Sequence, residues 1–142
     1  MIIVSACLLG INCRWNGQSS LEKKLLAYLP DLLPICPEQL GGLATPRNPA
    51  QITGGNGFDV LAGKAGVKAA FEDVTKEFIN GAQIVLRIAG LYNIKKAILK
   101  EGSPSCGVHQ IYRDKSIIAG MGVTAAILRQ EGLIVMSAED LD

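Results

Sequence analysis

The sequence is short of the features that would place it at a glance. Its 142 residues include one histidine, one tryptophan and four cysteines, and aromatic residues make up only 5%. No CxxC pair occurs, which removes the usual zinc-ribbon and thioredoxin signals. No apolar run reaches the ~18 residues of a membrane span; the longest are broken by Arg87, or by Asn12 and Arg14. Net charge is +1, so there is no electrostatic case for a nucleic-acid or anionic membrane partner. A leader is wanting too. Val4-Ser5-Ala6-Cys7 has the form of a lipoprotein cleavage box, but the six residues before Cys7 contain no Lys or Arg. A secretory signal needs a charged start and about 7–15 apolar residues. The expectation is a cytoplasmic chain; its oligomeric state is not legible.

What is present suits a globular fold. Apolar residues make up 49% and charged residues 19%, and the length fits one domain with one core over residues 1–142. Four short apolar runs read as buried strands: Ile2–Ala6, Leu32–Ile35, Lys96–Leu99 and Leu133–Met136. Between them, Leu21–Leu29, Val67–Ile88 and Val123–Gln130 repeat apolar residues at three- and four-residue steps and read as helices. Strands alternating with helices predict an α/β fold. We expect a single three-layer, Rossmann-like domain with a mainly parallel sheet of about four strands and right-handed crossovers. Gly41–Gly57 reads as one long loop, of a length that compact domains reserve for binding. Gly107–Gly120 reads as a hairpin turning at Asp114-Lys115.

Cytoplasmic thiols are normally reduced, so the cysteines are poor evidence for disulfides. Their positions are more telling. Cys7 follows the first strand, Cys36 ends the second, and Cys106 lies a few residues past the third. In an open parallel sheet, ligands bind beyond the carboxyl ends of the strands. Three thiols would therefore meet on one edge, as for a zinc ion or an iron–sulfur cluster. Ordinary buried cysteines or a catalytic thiol are the other readings. Pro37 turns the backbone after Cys36 and Glu38 follows it. In "GSPSCG", glycine and serine can aim N–H groups and hydroxyls inward, a nest suited to an anion, or can form a plain turn.

The stretches "VSACLLG…CRWNG", "CPEQLGGLATPRNPA", "ILKEGSPSCG" and "GMGVTAAILRQEG" resemble, in order, the blocks of domain-of-unknown-function family 523 over almost the whole chain. Members of that family include bacterial 2-thiouracil desulfidases. The resemblance implies a small α/β domain that carries a [4Fe-4S] cluster on three cysteines, here Cys7, Cys36 and Cys106. One iron stays open for the sulfur of a thiolated pyrimidine, a small-molecule substrate. It also implies that Glu38 is the catalytic acid–base residue and that the active-site serine falls in "SPSC", at Ser103, with Ser105 beside the substrate. Cys13 stands where many relatives are apolar and reads as a non-ligand.

The chemistry is coherent. An open iron would draw electrons from the C=S bond, while Glu38 activates water to attack the carbon. Arg47, between prolines in "TPRNP", is read either as a substrate-binding cation or as a tie for its loop. Arg14 divides the same way. Trp15 could stack on a base or pack, and His109 suits a surface or supporting role more than ligation. Asp59 and Lys100 flank the site loops, and Gly120 and Gly122 could offer N–H groups to an anion. Two readings compete with the enzyme: a non-catalytic iron–sulfur or zinc-binding sensor, and a metal-free small-molecule binding domain.

Overall fold

A computed structural model describes residues 1–141. Its centre is a four-stranded sheet of β1 (Ile2–Ser5), β2 (Leu32–Ile35), β6 (Lys96–Leu99) and β9 (Ile134–Ser137), in the order β2-β1-β6-β9. Every pairing in it is parallel, with Val4 opposite Ile98 and Ala97 opposite Val135. The strands are near-continuous apolar runs because both faces are covered. Ile3, Ala97, Leu99 and Val135 join one core cluster, under α3 (Thr75–Leu91) and α4 (Val123–Gln130). Val4, Leu32 and Ile98 join the other, with Leu25, Cys7, Cys13 and Ala138. Pro34 is tolerated in β2 because that strand is at the sheet edge and its missing N–H leaves no ladder bond unmade. The α/β class and the four-stranded parallel sheet are as the sequence led us to expect.

Three elements differ from expectation. The span Val67–Ile88 is not one helix. It holds β4 (Gly66–Ala69) and β5 (Glu72–Asp73), and the helix α3 starts only at Thr75. Val67 and Ala69 are buried on either side of exposed Lys68, a strand alternation, and Ala70 turns the chain at a positive φ of 55°. The supposed loop Gly41–Gly57 contains β3 (Ala50–Thr53), which pairs antiparallel with β4. Leu21–Leu29 is a 3-10 turn over Lys23–Tyr28 that buries only Leu25. The hairpin is where it was expected: β7 (Gln110–Arg113) and β8 (Ser116–Ala119) are joined by Asp114 and Lys115 at φ 49° and 64°. Positive φ at both turn residues matches the right-handed strand twist. Arg113 ties the hairpin to β3 by donating from Nε to the Ile52 carbonyl at 3.0 Å.

Two glycine contacts position the site. The short helix α1 (Pro37–Leu40) lies backbone to backbone on α3: a Cβ on Gly81 would stand 2.0 Å from the Pro37 carbonyl oxygen, and one on Gly41 2.0 Å from that of Glu77. The loop carrying Cys106 is pinned in a similar way, since a Cβ on Gly107 would meet the Gln110 oxygen at 2.1 Å. Asp59 caps α2 (Gly57–Leu61), accepting from the Asn56 N–H at 2.9 Å, and so belongs to the scaffold. No helix among the described residues is long and apolar enough to cross a membrane.

Candidate functional site

The chain order and the sheet order disagree at one place. From β1 the chain crosses to β2 on one side, then returns past β1 to β6 on the other. Such a switch point opens a crevice beyond the carboxyl ends of the strands. Strands β2, β1 and β6 are neighbours there, so Cys36, Cys7 and Cys106 leave three adjacent strand ends. A cavity of about 350 Å³ occupies the crevice and is lined by all three, and by Cys13 as well. All four thiols are free. The Cys36 thiol donates to the Cys13 carbonyl oxygen at 3.7 Å, which brings the Cys13 segment against Cys36. Among the described residues, no three His, Cys, Asp or Glu side chains gather closely enough to hold a single metal ion.

Cys36 and Cys106 are held neutral by their surroundings. The bond with Cys13, and then burial, push Cys36 far up; burial pushes Cys106 up to about 12. A thiolate at either place needs a cation beside it, and metal ligation supplies one. The donor set thus fits a thiolate-bound metal group larger than one ion.

Glu38 follows from α1. It lines the cavity and accepts from Arg47 Nε at 3.0 Å. Burial raises its carboxyl above the usual carboxylate range, and Arg47 offsets this only in part. Arg47 has further partners. Its guanidinium also donates to the Ala44 carbonyl at 3.1 Å, to Thr45 Oγ1 at 2.9 Å and to the Cys13 carbonyl at 3.0 Å. The residue borders the cavity, and four of its five N–H donors tie the 44–47 loop, Glu38 and the Cys13 segment together, which is the loop tie that the sequence offered as one of its two readings.

Ser103 also lines the cavity. Its Oγ accepts from the N–H groups of Ser105 at 3.0 Å and Cys106 at 3.1 Å, which leaves its own proton to donate. Ser105 does not reach the cavity, contrary to expectation. It is fully buried and its hydroxyl pairs with Thr124 Oγ1 at 2.8 Å. The anion nest expected before α4 is likewise taken. The N–H groups of Gly122, Val123 and Thr124 donate to the carbonyls of Gly107, Pro104 and Ser105 at 2.8 to 2.9 Å. The free first turn of that helix thus serves to hold the cysteine loop.

Sequence reasoning passed over Glu101, which is 7% exposed and borders the cavity. Its Oε1 accepts from the N–H groups of Val108, His109 and Gln110 at 2.7, 2.9 and 2.9 Å. Burial alone would raise this carboxyl, but those bonds outweigh it and hold the group below the usual range. Glu101 therefore fixes the backbone on the far side of Cys106. A carboxylate two residues past the end of an apolar strand was the available signal. Tyr112 and Ile117 of the hairpin, together with Arg14, Trp15 and Lys100, complete the cavity rim.

His109 stands apart, more than half exposed, with Nε2 2.9 Å from Asp140 Oδ2. The bond to Asp140 raises His109, and the same bond lowers Asp140. The pair therefore contributes most between the ordinary carboxylate range and roughly pH 6.5. Its contribution fades as pH rises through the raised His109 value, or falls through the lowered Asp140 value. The His109 imidazole proton signal should titrate above roughly 6.5 in the wild type and return to that value in Asp140→Asn. An unchanged midpoint in the variant would deny the pairing.

Comparison with known proteins places this arrangement. A family model described as 2-thiouracil desulfurase matches residues 2–140. The chain is similar to the uncharacterised protein YbbK of Bacillus subtilis (strain 168), 46% identical over 148 residues that cover 100% of this chain and 98% of YbbK. It is also similar to a solved structure, the [4Fe-4S]-dependent thiouracil desulfidase TudS (DUF523Vcz). That likeness has a TM-score of 0.86 and 41% identity over 99% of this chain and 91% of TudS.

Proposed function

The chain belongs to the 2-thiouracil desulfurase family, and we propose on that premise that it is an iron–sulfur-dependent desulfidase of a thiolated pyrimidine such as 2-thiouracil. The net reaction exchanges the C=S group and water for C=O and hydrogen sulfide, with no change of oxidation state. The observation that carries the reading is the placement of Cys7, Cys36 and Cys106 around one cavity with a carboxylate, Glu38, on its wall. Those three thiols would hold a [4Fe-4S] cluster. When bound, the cluster would supply Lewis acidity toward the sulfur of a thione.

The remaining work falls to residues of the chain. Glu38 takes a proton from water at its carboxylate as the oxygen attacks the thiocarbonyl carbon. Its raised affinity for protons suits that role. Arg47 fixes the orientation of Glu38 through the 3.0 Å bond. Ser103 donates its hydroxyl proton to the substrate ring, while Ser105 and Thr124 brace the loop behind it. A purely structural cluster would gain nothing from a buried carboxylate on its wall, which favours the enzyme over a sensor. The test is anaerobic reconstitution with iron and sulfide, followed by incubation with 2- and 4-thiouracil. Sulfide and the oxo base should appear in equal amounts. A fully loaded protein that releases no sulfide from either would overturn the reading.

A further inference from the structure

Trp15 is the one tryptophan of the chain, and it is left in an unusual place. It is 44% exposed, belongs to neither core cluster and lines the thiol cavity. Its backbone is fixed nonetheless. Arg14 donates its N–H to the Gln18 carbonyl at 3.1 Å, and Gly17 donates to the Arg14 carbonyl at 2.8 Å, closing a tight turn around it. The Trp15 carbonyl then accepts the Arg47 N–H at 2.8 Å. Arg47 is the residue that holds Glu38. The backbone that carries the indole is thus tied, through Arg47, to the residue that holds the carboxylate.

An indole that is neither packed in a core nor loose on a free loop presents a flat apolar face. Flat heterocycles stack on such faces, and a pyrimidine needs no particular substituents to do so. Tyr112 and Ile117, from the hairpin that Arg113 anchors, line the same cavity. We propose that Trp15 is the specificity-determining residue of this site, the platform on which a planar heteroaromatic thione lies with its thiocarbonyl carbon beside Glu38. This deepens the desulfidase reading and rests on it.

The cluster-loaded protein provides the test. Trp15→Ala should keep its iron and sulfide content and raise KM for 2-thiouracil by about tenfold or more, the larger part of the loss in kcat/KM. Trp15→Phe, which keeps a flat face, should return KM to within about threefold of the wild type. A second measurement needs no variant. Because Trp15 is alone, tryptophan fluorescence of the loaded wild-type protein reports this residue, and titration with uracil should change it saturably while urea does not. Unchanged KM in Trp15→Ala, or fluorescence blind to uracil, would overturn the inference while leaving desulfidation standing. A loaded wild-type protein that releases no sulfide yet responds to uracil would overturn the desulfidase reading and support the platform.

Discussion

Glu38→Gln should bind its cluster normally and lose desulfidation by ~10²–10⁴-fold, the range for removing a general base. The amide has nearly the shape of the carboxylate, so α1 and its glycine-to-backbone contact with α3 are undisturbed. It can still accept from Arg47 Nε at the same place. What it cannot do is take a proton from water. Iron and sulfide content, the visible band and the thermal midpoint should therefore match the wild type, and the loss should fall on kcat rather than KM. Arg47→Lys gives a graded companion. A lysine cannot reproduce the four bonds from one planar fork that join Glu38, Ala44, Thr45 and Cys13. It should lower activity with part of the loss in stability, a mixture that Glu38→Gln should not show. Full activity in Glu38→Gln would move the base elsewhere in the cavity. Glu101 is the weaker base, since the three N–H groups on its Oε1 hold its carboxyl below the usual range.

The parts of the molecule that were legible in the sequence share a physical cause. Buried parallel strands are apolar on both faces, so β2 and β6 stand out as uninterrupted runs at their true limits. The helix α4 is legible for a related reason, since Val123 through Leu128 are all buried between glycines. The edge where Cys7, Cys36 and Cys106 meet follows from parallel topology alone. Illegible were the elements whose pattern fits two periods. Val67, Phe71, Val74 and Phe78 fall on helical steps while Val67 and Ala69 fit strand alternation, and only the turn at Ala70-Phe71 decides between them. The roles of Ser105 and Glu101 were beyond reach for another reason. Each is set by which partner already occupies its polar atoms. Ser103 and Ser105 are two residues apart with the same side chain, yet one faces the cavity and the other is closed off by Thr124 on a distant helix.

Replacing cysteines one at a time should divide four thiols that border one cavity into three and one. In Cys7→Ala, Cys36→Ala and Cys106→Ala, iron and sulfide should fall to background, the visible band should vanish and sulfide release should cease. Cys13→Ala should load as the wild type does. The argument is geometric. The first three leave the ends of β1, β2 and β6, where the sheet holds adjacent strands roughly 4.8 Å apart, and so surround the crevice from separate directions. Cys13 instead lies between β1 and β2, six residues past Cys7 and away from any strand end, on a segment bound through its carbonyl to Arg47 Nη2. Four thiols around a single zinc would instead stand about 3.8 Å apart, from Zn–S bonds of about 2.3 Å and tetrahedral angles. A protein that stays colourless after anaerobic reconstitution and carries one zinc lost equally in all four variants would therefore overturn both the cluster and the division of the cysteines. Loss of iron in Cys13→Ala with the other three unaffected would likewise overturn the choice of Cys7, Cys36 and Cys106 as the ligands, although all four border the same cavity.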